Sequence, residues 1–335
     1  MKHANTADSQ SIGIDIGTSR IVVARRNNEG EFQCQAQLNA FLSLPYSRLT
    51  ENLLKQQNVF HEVVGRDIVV AGDDAEKFAE VFHVETRRPM AGGVLNPNEP
   101  HSLAVVRLIV GKLAGRAANH KQRAWFSVPA PAPECEARLA YHEASCRQIL
   151  TDLGYEAQPI AEGLAVVFSE LENSNFTGIG VSCGSGLCNV CLAVLSLPVI
   201  SFSVARAGDF IDERSAMATG GVATRIRVQK EESFALNGFT SDLVRNALTV
   251  HYDEVIRSLV QALDTHLSTS KRVPKLDNSI PLVLSGGTAM PKGFVEAFQK
   301  AMKSREFPVQ ISEIRMAPEP LNSTAKGALM AALCQ

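Results

Sequence analysis

Aromatic residues make up only 6% of the 335-residue chain, with a single tryptophan, and neither sign of charge is in excess: 33 Lys and Arg stand against 35 Asp and Glu, a formal net charge of -2. That balance gives no electrostatic reason to hold nucleic acid or an anionic membrane, so neither is expected as a partner. No apolar run is long enough to span a bilayer, and direct membrane insertion is not expected. Met1 to Gln10 is polar and carries neither the apolar core of a signal peptide nor an amphipathic anchor. The seven cysteines are odd in number. Cys183, Cys188 and Cys191 lie close together, but strand alternation and the lack of a second cluster argue against zinc, and buried reduced thiols in a cytoplasmic protein are the expectation. What is present, 45% hydrophobic and 20% charged residues, is ordinary for a globular chain long enough for two domains or one bilobed one.

The stretch around which the rest is organised is Ile12 to Ala24. Two apolar runs, Ile12-Gly13-Ile14-Asp15-Ile16 and Ile21-Val22-Val23-Ala24, flank Gly17-Thr18-Ser19 and read as a β-hairpin. Asp15 is the odd residue, because a carboxylate in an apolar strand is costly unless paired, hydrogen-bonded or near a cation. Gly17 permits a tight turn, and Thr18, Ser19 and their amides can face an anion. Together these suit a phosphate-binding hairpin with Asp15 toward an accompanying metal; the alternative is an ordinary hairpin whose Asp caps a turn.

A third strand is expected to end near Ala36, and residues 37–84, with a strand at Asp67–Val70 and a helix from Asp74 to Phe82, read as a small inserted subdomain. A return loop follows at Arg87–Asn96, then a helix over Pro100–Leu113, a strand at Ala124–Val128 and a helix from Glu134 to Leu153. A short strand runs into a helix with Glu162 near its start, where the helix dipole favours a carboxylate. From Phe176 the first pattern recurs: strand, Gly184-Ser185-Gly186, strand, strand. This is an internal duplication and implies two lobes of one topology, residues 11–172 and 173–335, with glycine hairpins facing one another across a phosphate chain. In the second lobe a helix starts after Gly208 with Asp209 as its cap, and residues 222–278 form a second inserted subdomain. That subdomain holds a helix with Lys230 and Glu231 and a long helix from Ser241 to Leu267 with Leu243, Ala247, Val250, Ile256, Leu259 and Leu263 on its apolar side. A strand at Ile280–Leu284 leads through Ser285-Gly286-Gly287-Thr288 to a helix beginning at Pro291, a junction that offers free amides to a nucleotide. A strand at Phe307–Ile311 and a helix from Asn322 to Leu333 close the chain.

Three glycine-rich turns in this order, G-I-D-I-G-T-S, G-V-S-C-G-S-G and L-S-G-G-T-A-M-P, resemble the two phosphate motifs and the adenosine motif of the actin-like ATPase superfamily. The stretches A-G-D-D-A, R-R-P-M-A-G-G-V-L-N, A-G-D-F-I-D-E-R and V-Q-K-E-E-S-F look like its bacterial actin branch, the MreB and MamK kind of filament protein. The resemblance implies an α/β, ribonuclease H-like duplicated fold of two lobes, ATP or ADP with magnesium in the cleft between them, and homopolymeric filaments, with adaptor or cargo proteins as further partners.

Carried over residue by residue, Asp15 would position magnesium through water. Gly17, Thr18, Ser19, Gly184, Ser185 and Gly186 would contact the phosphates, and Gly208 would lie beside them. Lys230 and Glu231 would flank the adenosine, and Gly286, Gly287, Thr288 and Met290 would border the adenine and α-phosphate. Glu162 matches the water-activating glutamate, a carboxylate within reach of the attacking water being what hydrolysis needs. Ser182 stands where the family has an acidic residue; serine can bond a metal-bound water but brings no charge, so metal retention would fall to Asp15 and slow hydrolysis is expected, with an acid at 182 expected to quicken it. The readings that compete with a slow filament-forming ATPase are a non-hydrolysing nucleotide-binding scaffold of the same fold, such as a pilus-assembly component, and a small-molecule kinase. The kinase is weakened by the small subdomains and the want of a second carboxylate to activate a hydroxyl.

Overall fold

The computed structural model describes residues 11–119, 121–131, 136–276 and 278–334. β1 (Ile12–Ile16) pairs antiparallel with β2 (Arg20–Arg26), and β2 with β3 (Phe32–Leu38). The Gly17 N–H closes the first turn on the Arg20 carbonyl at 3.0 Å. The chain then departs into β4 (Phe41–Pro45), α1 (Arg48–Gln56), β5 (His61–Val64), β6 (Asp67–Ala71) and α2 (Asp73–Phe82). These build a separate three-stranded sheet, ordered β4-β6-β5, around Leu42, Leu54, Ile68, Val70 and Ala75. A tight pair, β7 (Met90–Ala91) and β8 (Val94–Leu95), returns it to α3 (Ser102–Ala114), β9 (Arg123–Val128), α4 (Glu136–Asp152) and β10 (Glu156–Ala161). β9 lies parallel to β1, and β10 to β9, giving the sheet order β10-β9-β1-β2-β3.

The first half ends with α5 (Glu162–Glu170), and the second opens with β11 (Gly178–Cys183), β12 (Cys188–Val194) and β13 (Leu197–Val204). After α6 (Gly208–Thr219), α7 (Ala223–Ser233) and α8 (Leu243–Thr269) come β14 (Ile280–Ser285), α9 (Phe294–Lys303), β15 (Ile311–Met316) and α10 (Ser323–Cys334). The sheet order is β13-β12-β11-β14-β15, with an antiparallel meander on one side of β11 and parallel strands on the other. Read from the meander inward, this is the topology of the first sheet, so the repeat legible in the sequence is a repeat of the fold. Each sheet has its own apolar core, one around Ile14, Ile109 and Phe126 and the other around Val181, Leu259 and Phe298.

The halves are tied by two helices. α5 packs on β11 and β12, while α10 packs back on β1 and β9, and the two helices cross each other. Gly13 of β1 makes the second contact possible, since a Cβ there would fall 2.1 Å from the Leu329 N and 2.2 Å from the Ala325 carbonyl.

Several local expectations are corrected. Asp209 is not the cap of α6: Ala207 holds that position, and the Asp209 side chain is drawn instead to Arg88. The helix expected at Pro291 begins at Phe294, because Gly287–Ala289 forms a 3-10 turn and Gly293, in a left-handed conformation, starts the helix. The last strand begins at Ile311 rather than Phe307, since Pro308 has no N–H for the ladder. On α8, Leu243 and Val250 are exposed; the buried stripe runs through Leu248, Tyr252, Val255 and Leu259, and residues two apart on a helix face different ways. The expected start of the fourth helix at Glu134 lies outside the described residues.

Candidate functional site

Strand pairing places the first two glycine turns at the same end of equivalent strands, and the structure brings them together. A Cβ at Gly186 would lie 2.6 Å from Thr18 Oγ1 and 2.5 Å from the Gly93 N, so the second hairpin sits directly on the first. Thr18 Oγ1 accepts the Gly93 N–H at 3.2 Å, pinning the return loop to the same point. The third turn folds over the second: Thr288 Oγ1 donates to the Gly184 carbonyl at 2.7 Å. Gly208 lies behind this junction, its N–H donating to the same carbonyl at 3.2 Å.

These turns border a cavity of about 460 Å³, within the usual size of a small-molecule site. Gly17, Thr18 and Ser19 line it from the first lobe. Gly184, Ser185, Gly186, Gly286, Gly287, Thr288 and Met290 line it from the second, with Lys230 and Glu231 of α7 on the far wall. Asp15, Glu162 and Ser182 line it as well, so of the residues singled out in the sequence only Gly208 stands behind the wall.

The two carboxyls are each held by a serine. Ser127 of β9 donates to Asp15 Oδ1 at 2.7 Å, and its Oγ accepts the Ile16 N–H at 2.9 Å. Ser182 of β11 donates to Glu162 Oε2 at 2.9 Å. Burial pushes Asp15 up to about 6, against the pull of the Ser127 hydrogen bond. Burial first, and then the neighbouring Asp15, push Glu162 up to about 8, with Ser182 and Asn189 opposing the shift. Two carboxyls out of water in one wall are thus each costly to ionise, and a cation at the cleft would remove that cost.

Residues missed in the sequence complete the walls. Asp212 of α6 pairs with Lys230 Nζ at 2.7 Å, both buried, and burial pushes Asp212 up to about 6 with Lys230 pulling the other way. Lys230 therefore has its charge matched inside the wall. Tyr252 of α8 also lines the cavity, its hydroxyl buried with no hydrogen-bond partner among the described residues. Ser127 and Asn189 were legible by the reasoning that singled out Asp15, being polar residues in apolar strands; Asp212 and Tyr252, on helices, gave no such signal. The cysteines Cys183, Cys188 and Cys191 are buried and free, and among the described residues no cluster of His, Cys, Asp and Glu could hold a metal ion by itself.

The family model described as Volactin matches residues 11–332. The chain belongs to the Volactin family. No curated protein matches this volactin-family chain in sequence. Among solved structures it is similar to the MamK double helical filament, at 20% identity over 96% of this chain and 98% of that one, with a TM-score of 0.70. A non-polymerising MamK mutant bound to AMPPNP matches over the same shares at 20% identity, with a TM-score of 0.59. The ethanolamine utilization protein EutJ from Carboxydothermus hydrogenoformans matches at 15% identity over 96% of this chain and 89% of that one, with a TM-score of 0.56. At these identities the likeness is one of fold: this volactin-family chain has the actin-like two-lobed fold of those structures.

Proposed function

We propose that the chain binds ATP with magnesium in the interlobe cleft, assembles into linear filaments in the cytoplasm, and hydrolyses the nucleotide slowly. The observation that carries this is the convergence of three glycine turns, from both lobes, with two buried carboxyls on one cavity. MamK, solved both as a filament and with AMPPNP, supports extending nucleotide binding and self-association to this fold. The two lobes, 11–172 and 173–335, with their inserted subdomains at 37–84 and 222–278, would then be the bodies that close on the nucleotide.

The amides of Gly17–Ser19 and Gly184–Gly186 are suited to the phosphates, where N–H groups replace water around an anion. Lys230 and Glu231 would border the nucleoside, and Gly286–Thr288 with Met290 the base and α-phosphate. Asp15 would hold magnesium through its waters, and the scarcity of protein ligands suits a hard cation that keeps waters and takes phosphate oxygens. When bound, magnesium would neutralise charge developing on the phosphates. Glu162, relieved of its proton by that nearby charge, would accept one from the attacking water. Organising organelles or shape machinery through adaptor proteins is the cellular role this reading implies.

Pelleting and light scattering with and without ATP and magnesium test the assembly. A protein that stays monomeric with both, across salt and concentration, rejects it. Phosphate release above the level of Glu162→Gln supports hydrolysis. Release at that level favours the non-hydrolysing scaffold, the reading that serine at 182 keeps in play.

A further inference from the structure

Ser182 stands where the superfamily pattern has an acid directed at the metal, and its surroundings give it a different task. The residue sits in the central strand β11, its backbone paired with Asn189 of β12 on one side and Ser285 of β14 on the other. It is buried, and its hydroxyl donates to Glu162 Oε2 at 2.9 Å. Asn189, directly opposite, is itself fixed, its Oδ1 accepting the Ala130 N–H at 2.8 Å. The Glu162 carboxyl at the start of α5 is therefore gripped from a rigid sheet, as Asp15 is gripped by Ser127 from the strand beside it. An ionised acid at 182 would donate no proton and would add a third carboxylate beside two that are already buried together.

We propose that Ser182 is a positioning residue: its hydroxyl fixes the plane of the Glu162 carboxyl, so that the second oxygen faces the attacking water. This rests on the reading that the cleft hydrolyses ATP, and it reverses the expectation that an acid at 182 would quicken turnover. A misaligned base loses rate rather than binding, because its contact with the water matters only in the transition state.

The test compares Ser182→Ala, Ser182→Thr and Ser182→Asp with the unsubstituted protein. Phosphate release at saturating ATP and magnesium should fall by about 10- to 100-fold in Ser182→Ala and at least as far in Ser182→Asp. Ser182→Thr, which keeps a hydroxyl, should stay within about threefold of wild type, and ATP affinity by fluorescent-analogue titration should move less than about threefold in all three. Faster release in Ser182→Asp, or unchanged release in Ser182→Ala, overturns the proposal. Wild-type release no faster than Glu162→Gln would mean that hydrolysis itself is absent. The grip is then read without turnover, in the carboxyl carbon resonance of Glu162, assigned by its loss in Glu162→Gln. That resonance should move in Ser182→Ala and return in Ser182→Thr, and a signal indifferent to both substitutions overturns the proposal whatever the activity.

Discussion

A carboxyl taken out of water keeps its proton to higher pH, and a second carboxyl beside it strengthens the effect. Glu162 shows both causes, burial and Asp15, and is pushed up to about 8 from 4.5. The folded chain therefore binds a proton at Glu162 that the unfolded chain has released, throughout the window between those values. Stability falls with rising pH wherever the folded state holds more protons, so the penalty is absent below about 4.5, grows through the window, and is complete above about 8. Asp15, raised from 3.8 to about 6, adds a fall in the lower part of the same range. The thermal midpoint of the nucleotide-free protein is expected to drop as pH rises from about 5 to about 8, and Glu162→Gln, which has no proton to lose, to flatten the upper half of that drop. Calorimetry of the two proteins across the range checks this, and parallel slopes would refute it. The cost falls on the carboxyl proposed as the base, the pattern expected of a functional carboxyl that a bound cation would relieve.

Elements meet at glycine in this fold, and the meeting points repeat. Gly13 stands two residues before Asp15 and accepts the backbone of α10; Gly180 stands two before Ser182 and accepts α5, with a Cβ there falling 2.3 Å from the Gly163 carbonyl. Each half thus lends the other a helix at the strand that leads into its hairpin's glycine turn. The helices cross at Gly327, where a Cβ would lie 1.7 Å from the Ala165 carbonyl. Gly327→Ala is expected to destabilise by about 1–3 kcal/mol or more, the range for overpacking, since backbone rather than a flexible side chain is in the way. Denaturant midpoints measure the loss, and a variant as stable as wild type would show that α5 and α10 slide apart freely. The repeat and the glycine turns were legible in the sequence because both are local signals: a turn needs its glycine, and a strand its alternation. The exchange of helices was not legible. Nothing in A-K-G-A-L-M-A-A-L says which sheet it will cover, and the buried Lys230–Asp212 pair depends on α6 and α7 being brought together in space.

At the scale of the whole molecule, the cleft is bridged by charge as well as by packing. Arg227 of α7 reaches Glu76 of α2 at 2.9 Å, joining the unit built on the β4-β6-β5 sheet to a helix that lines the cavity from the other half. Arg88, in the return loop, reaches Asp209 at the start of α6 at 2.7 Å. Neither pair is fully buried, so each holds the lobes with modest energy, on the order of 1 kcal/mol or less for such pairs. A weak clasp would suit the proposed exchange of nucleotide through an opening cleft, because about 1 kcal/mol corresponds to roughly a fivefold change in the open population. Arg227 also lines the cavity, so its replacement confounds closure with direct contact; Glu76 does not line it. Glu76→Arg sets two cations face to face and should speed release of a fluorescent ATP analogue by about 2- to 10-fold, without altering the cavity wall. High salt should narrow the gap between wild type and Glu76→Arg, since exposed charges are screened over about 10 Å or less. Stopped-flow displacement gives all four rates. Release from Glu76→Arg at the wild-type rate would mean that this ion pair does not hold the cleft closed, and that the hairpin contact at Thr18 and Gly186, the Arg88–Asp209 pair and the α5–α10 crossing do.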